Sequence, residues 1–110
     1  MIERTDGSPD ELTVRRRVIR SIAVTAATEV PGVVRVGRGG PKPLAWLVGR
    51  PVTTWSEAGR IHVRLWLIVR PGVPLPALVA RVRATVGRAV ERQLGLELGE
   101  VTVLVDGVGA

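Results

Sequence analysis

The chain has 110 residues, 45% of them hydrophobic, and a formal charge of +6. That length bounds it to one small domain with a single core. With no Cys, no Phe, no Tyr and three Trp, disulfides and thiolate metal sites are excluded, and the core must be built from aliphatic side chains.

Residues 1–8 are polar and read as a loose N-terminus. "MIERTDGSPDEL" has no apolar h-region, so it does not read as a signal peptide. The apolar runs "LWLIV" and "PLAWLVG" are far too short to span a bilayer. The expectation is a soluble chain that something else must hold if it works at a membrane.

"SPDE" reads as a helix start, with Ser8 as N-cap, Pro9 at the first helical position and Glu11 closing a capping box. The helix is expected to run to Val30, where Pro31 disfavours helical dihedrals. Ile19, Ile22, Ala23, Ala26 and Val30 form its apolar stripe. Arg15 falls on the same stripe, so either the first turns overhang the core or the packed helix begins near Thr13.

"VVRV" (33–36) reads as a short strand, followed by a glycine loop and by "LAWLVG", whose state the pattern leaves open. "PVTTW" (51–55), "SEAG" (56–59) and "RIHVRLWLIVR" (60–70) read as a hairpin with Gly59 in the turn. In the long strand Ile61, Val63, Leu65, Leu67 and Val69 alternate with His62, Arg64, Trp66, Ile68 and Arg70. "PGVPLP" breaks that strand and opens a second helix. Its stripe is Leu75, Leu78, Val79, Val82, Val86, Val90 and Leu94, with Arg81, Arg88 and Arg92 opposite. Gly95 is placed to end it. "EVTVLVD" (100–106) is a final strand, with Val101, Val103 and Val105 on one face and Thr102, Leu104 and Asp106 on the other.

The order α-(β)-β-β-α-β predicts an α+β two-layer sandwich, two helices on one face of a small mixed sheet. The strands at 60–70 and 100–106, joined by a helix, should pair in parallel. Residues 9–108 form one domain, with a variable loop at about 37–50.

"VGRGGPKP" (36–43) raises the question of a phosphate-cradling loop. A P-loop needs Gly where Lys42 stands and a Ser or Thr after the Lys. The dinucleotide pattern fails at Lys42 too. Pro41 and Pro43 oppose a helix start there, so no helix dipole meets a phosphate. The segment reads as a connecting loop.

His62 is the lone His and reads as a surface residue, because it has no nucleophile and no orienting partner. Glu29, Glu57, Glu91, Glu97, Glu100 and Asp106 are scattered and read as surface solvation. No catalytic, cofactor or metal residue is assigned. Fifteen of the sixteen basic residues are Arg, a skew that GC-rich coding alone produces, so the charge does not by itself define a partner. Arg15, Arg16, Arg17, Arg20 and Lys42 are the candidate anion contacts, for lipid headgroups or for nucleic acid. If the regular face of strand 60–70 packs under the helices, Trp66 and Ile68 lie on the bare face, joined by Leu104 and Trp55. Those four are the candidate interface.

"VRRRVIRSIAVTAATEVPGVVRV" followed by "IHVRLWLIVRPGVPLPALVARVRATVGRAVERQLGLELGEVTVLVDGV" resembles the bacterial alkaline-shock-protein, or Gls-type, envelope stress response family. The resemblance covers roughly residues 12–36 and 59–108. It rests on a helix closing in "EVPGV", a strand ending in "RPGVPLP", and "GLELGEVTVLVDGV". It implies a non-enzymatic domain that acts in envelope homeostasis as a scaffold or adaptor at the cytoplasmic side of the membrane. Members have no membrane span of their own; a membrane-anchored partner holds them, or they self-associate. The resemblance supplies no catalytic residue; Pro31–Gly32–Val33 and Pro71–Gly72–Val73 match its motifs and read as structural turns. Two features depart from it. The chain is strongly basic, which keeps an anionic lipid surface or nucleic acid open as a partner. The segment "GRGGPKPLAWLVGRP" lies outside the pattern, which makes Trp46 a further candidate contact.

Overall fold

The computed structural model describes residues 9–38 and 50–109, with side chains from Val14 onward. Ser8, Lys42, Trp46, the loose 1–8 segment, "LAWLVG" and the capping side chain of Glu11 lie outside these. The elements run α1 (Pro9–Thr28), β1 (Val33–Val36), β2 (Val52–Glu57), β3 (Arg60–Val69), α2 (Leu75–Leu94) and β4 (Leu98–Val108). This is the expected α+β order.

β3 is the hub of a mixed sheet. β4 runs parallel along one of its edges, as the β3–α2–β4 crossover predicts. β1 and β2 are both antiparallel to β3 and share its other edge, β1 against Leu67–Val69 and β2 against Arg60–Leu65. The two meet at Trp66. Its N–H donates to the Pro51 carbonyl at 2.8 Å, and its carbonyl accepts the Gly37 N–H at 2.9 Å. Proline has no N–H to return. Gly37 supplies the missing donor, so the ladder passes from β2 to β1 without an orphaned carbonyl. β1 and β2 are thus one edge line interrupted between Gly37 and Pro51.

The inner face follows the sequence alternation. Val63, Leu65, Leu67 and Val69 are each 0% exposed. They pack against Ile19, Ala23, Ala26 and Ala27 of α1 and Leu78, Val82, Val86 and Val90 of α2, with Val101 and Val103 from β4. Burying each such Val or Leu contributes about 1.5–3 kcal/mol before entropy is counted. Arg15 and its neighbours at 14–18 are exposed, and Ile19 is the first buried residue of α1 among the described side chains, so the stretch 14–18 overhangs the core. Leu75 belongs to the expected α2 stripe yet is 41% exposed.

Four elements differ in extent from the sequence reading. α1 ends at Thr28, two residues early, where the Thr28 hydroxyl donates to the Val24 and Thr25 carbonyls and Pro31 forbids another turn. The hairpin strand runs through Ser56 and Glu57, leaving a two-residue turn at Ala58 and Gly59 with φ of 56° and 78°. Two positive-φ residues match the twist of the flanking strands, which a longer "SEAG" turn would not need. β3 stops at Val69, one residue short, and β4 extends to both sides of "EVTVLVD".

Gly32 has φ of +102°, and a Cβ there would meet Val73 Cγ1 at 3.2 Å and Leu78 Cδ1 at 3.3 Å. Its carbonyl accepts the Arg70 N–H at 2.9 Å. The "PGV" after α1 therefore locks against the "PGV" before α2, and only glycine fits the first. α2 ends at Gly95, φ 67°, whose N–H donates to the Glu91 carbonyl at 2.8 Å.

Candidate functional site

Both helices pack on the inner face, so the outer face of the sheet is the surface left for a partner. The register builds it from Trp55 of β2, His62, Arg64 and Trp66 of β3, and Thr102 and Leu104 of β4. Arg35 of β1 pairs opposite Ile68.

Trp55, Trp66 and Leu104 are half-buried and share this face. Ile68 is on it but only 6% exposed, so it is not available as a contact. β4 continues past Asp106 and lays backbone over it. A Cβ at Gly107 would meet Ile68 Cδ1 at 3.3 Å, and one at Gly109 would meet its Cγ2 at 3.0 Å.

Nor is the face bare around Trp66. The Arg38 guanidinium lies 3.8 Å from the centre of the Trp66 ring, and its Nε is 3.4 Å from Asp106 Oδ2. The β3–β4 register skips Asp106, pairing Leu67 with Val105 and Ile68 with Gly107. This bulge aims the carboxylate at Arg38. The indole, the guanidinium and the carboxylate form a layered clamp worth about 1–2 kcal/mol in cation–π and ionic attraction together.

Trp55 makes a second cluster. Its ring stacks on His62 at 5.3 Å between centroids and 13° between planes, and Arg64 lies 5.2 Å from the indole. His62 is not the solvated side chain that the sequence suggested. Its Nδ1 accepts the Glu100 N–H at 2.8 Å. Nε2 therefore carries the proton and faces the Glu57 carbonyl at 3.4 Å. With both ring nitrogens on backbone groups, His62 ties β2 to β4 and has no free nitrogen to act as a base. Gly99 makes room for it: a Cβ there would overlap the imidazole. Glu91 is likewise more than surface solvation, since its carboxylate accepts the Leu98 N–H at 3.1 Å and pins the α2–β4 connection.

The expected anion contacts divide. Arg16 and Arg20 turn toward β2 and line a cleft of about 350 Å3 with Arg50, Val52, Thr53 and Thr54. Arg15 and Arg16 border a neighbouring cleft of about 300 Å3 that also takes in Ile19, Trp55 and Glu97. Arg17 is exposed and lines neither. Sequence reasoning missed Arg50 and the pairing of Arg38 with Asp106. Arg50 was findable, because it precedes the strand that faces α1. The Arg38–Asp106 pair spans 68 residues and needs a bulge, for which the sequence carries no local signal.

No helix among the described residues is long and apolar enough to cross a membrane. Among those residues no group of three or more His, Cys, Asp or Glu side chains could hold a metal ion.

Residues 4–110 match the model of the alkaline-shock-protein family, described as having a cell envelope-related function. No curated protein matches the chain. Among solved structures, MamM CTD in a copper form is 17% identical, with a TM-score of 0.59 over 83% of this chain and 84% of that one. A zinc form of a MamM CTD variant is 16% identical, with a TM-score of 0.55 over 86% and 87%. A manganese form of another variant is 18% identical, with a TM-score of 0.52 over 83% and 96%. At such identities the likeness is one of fold, and the metals in those titles do not carry over.

Proposed function

The chain belongs to the alkaline-shock-protein family, whose function is cell envelope-related, and from that premise we propose that it is a non-enzymatic adaptor acting by association. It pairs with copies of itself through the outer sheet face and docks to a membrane-anchored protein, which holds it at the inner face of the cell membrane. The single observation behind this reading is the outer face itself. Trp55, Trp66 and Leu104 remain half-exposed there while both helices serve the opposite side. Aromatic residues rimmed by arginine are the composition of interface centres. The clamp of Arg38 on Trp66 supports the same reading, because it holds the indole in one orientation before a partner arrives.

The test is sedimentation velocity of Trp66→Glu beside the unaltered chain, with circular dichroism as a check on folding. The expected result is a folded monomer where the unaltered chain associates. Unchanged association by a folded Trp66→Glu chain sinks the sheet-face reading. An unfolded variant moves the question to Leu104→Glu, whose side chain has none of the clamp contacts. Membrane docking is checked by retention of the tagged chain in a membrane pellet after a high-salt wash.

A further inference from the structure

The cleft between α1 and β2 has a chemistry that the sheet-face reading does not use. Arg16 and Arg20 are four residues apart on one face of α1, and Arg50 approaches from the start of β2. Val52, Thr53 and Thr54 complete the wall. Among the described residues no carboxylate lines this cleft, and the three guanidinium groups make no ion pair. Guanidinium groups stay charged at any physiological pH, so their mutual repulsion persists until an anion enters.

The remaining wall adds donors. Trp66 and Pro51 form a hydrogen-bonded pair in the β2–β3 ladder. Such pairs alternate along antiparallel strands, so Val52 and Thr54 turn their backbone groups to the open edge of β2. Thr54 pairs with Val63 on the face toward α1, so its hydroxyl and its N–H join the three guanidinium groups at one place. A carboxylate offers two oxygens to this set. A phosphate monoester offers three, with more charge, and matches the planar forks of several arginines at once. The volume of about 350 Å3 has room for a substituent beyond the phosphate.

We infer that this cleft is a binding site for a phosphate monoester, held by Arg16, Arg20 and Arg50 with the hydroxyl and N–H of Thr54 as further donors. The site is separate from the outer sheet face, so it stands or falls independently of self-association. A lipid headgroup and a small soluble ester share this chemistry.

The probes are inorganic phosphate and glycerol 3-phosphate, titrated into the 15N-labelled chain. Saturable shifts confined to the amides of Arg50, Thr53 and Thr54 and the α1 segment around Arg16 are expected. The double variant Arg20→Gln with Arg50→Gln should lose affinity by about tenfold or more, the loss expected for removing charged hydrogen bonds. A charge-matched control, Arg81→Gln with Arg92→Gln, should retain it. Flotation with phosphatidylcholine vesicles containing phosphatidic acid then distinguishes the sources. Vesicle binding lost in the first variant alone assigns the headgroup. Glycerol 3-phosphate binding without vesicle binding assigns a soluble ester. Shifts that never saturate, or an equal loss in both variants, overturn the site and leave only the net charge of the chain. Tighter binding of an RNA oligonucleotide with shifts spread over α2 overturns it as well.

Discussion

Gly99→Ala tests the packing of the outer sheet face with a single carbon. Gly99 shows no positive φ, so its backbone accepts alanine without strain. The cost must come from the side chain it meets. A Cβ at this position overlaps the His62 ring, whose Nδ1 holds the Glu100 N–H at 2.8 Å and whose face stacks on Trp55. The ring must move, and both interactions are lost. The hydrogen bond is worth about 0.5–1.5 kcal/mol and the aromatic pair a similar amount, about 0.5–1.5 kcal/mol. Alanine restrains the unfolded chain and returns about 0.4–1 kcal/mol. The net expectation is a destabilisation of about 1–2 kcal/mol, a fall in Tm of roughly 4–10 °C for a domain of this size. Urea unfolding followed by far-ultraviolet circular dichroism measures it. The decisive comparison is the same substitution in a His62→Ala background, where the clash is gone, only the unfolded-state effect remains, and the variant should gain about 0.4–1 kcal/mol. An equal cost in both backgrounds would refute the reasoning, because the ring would then have no part in it.

Two further outcomes follow from the packing. Val82→Ala removes a side chain at 0% exposure and should cost about 2–3 kcal/mol, whereas Leu75→Ala, in the same helix but 41% exposed, should cost under about 1 kcal/mol by urea unfolding. Asp106→Asn removes the negative partner of Arg38 and should cost about 1 kcal/mol, with Trp66 becoming more accessible to acrylamide quenching as the guanidinium leaves its ring.

The inner half of this fold was legible because burial imposes a period. Val63, Leu65, Leu67 and Val69 alternate without exception, and Leu78, Val82, Val86 and Val90 recur every four residues. The parallel pairing of β3 and β4 followed from the helix between them. The outer half was legible only in part. Trp66 and Leu104 were placed on it correctly by parity, but Ile68 was read as exposed because nothing in "VLVDGV" announces that the strand continues past Asp106 as backbone cover. His62 was misread for a related reason. Its partner is a backbone N–H presented by a bulge, and an N–H has no letter in a sequence. One sign was present: Gly99 falls between Leu98 and Glu100 at the start of a strand, where glycine often marks the close approach of another group. The basic cluster at 15–20 showed its charge but not its direction. Only the placement of β2 beside α1 separates Arg16 and Arg20 from Arg17.

The junction at Trp66 has a consequence for how sequences of this kind can diversify. Both ends of the segment between Gly37 and Pro51 are fastened to the same residue, one by a donated and one by an accepted hydrogen bond. The ladder is complete whatever lies between them. An insertion between Arg38 and Arg50 leaves those two hydrogen bonds in place, and closing a longer connection costs only about 0.6 kcal/mol of entropy for each doubling. The segment is therefore a graft point. A peptide tag, a second module or a pair of new chain termini introduced there would leave the edge line of the sheet intact.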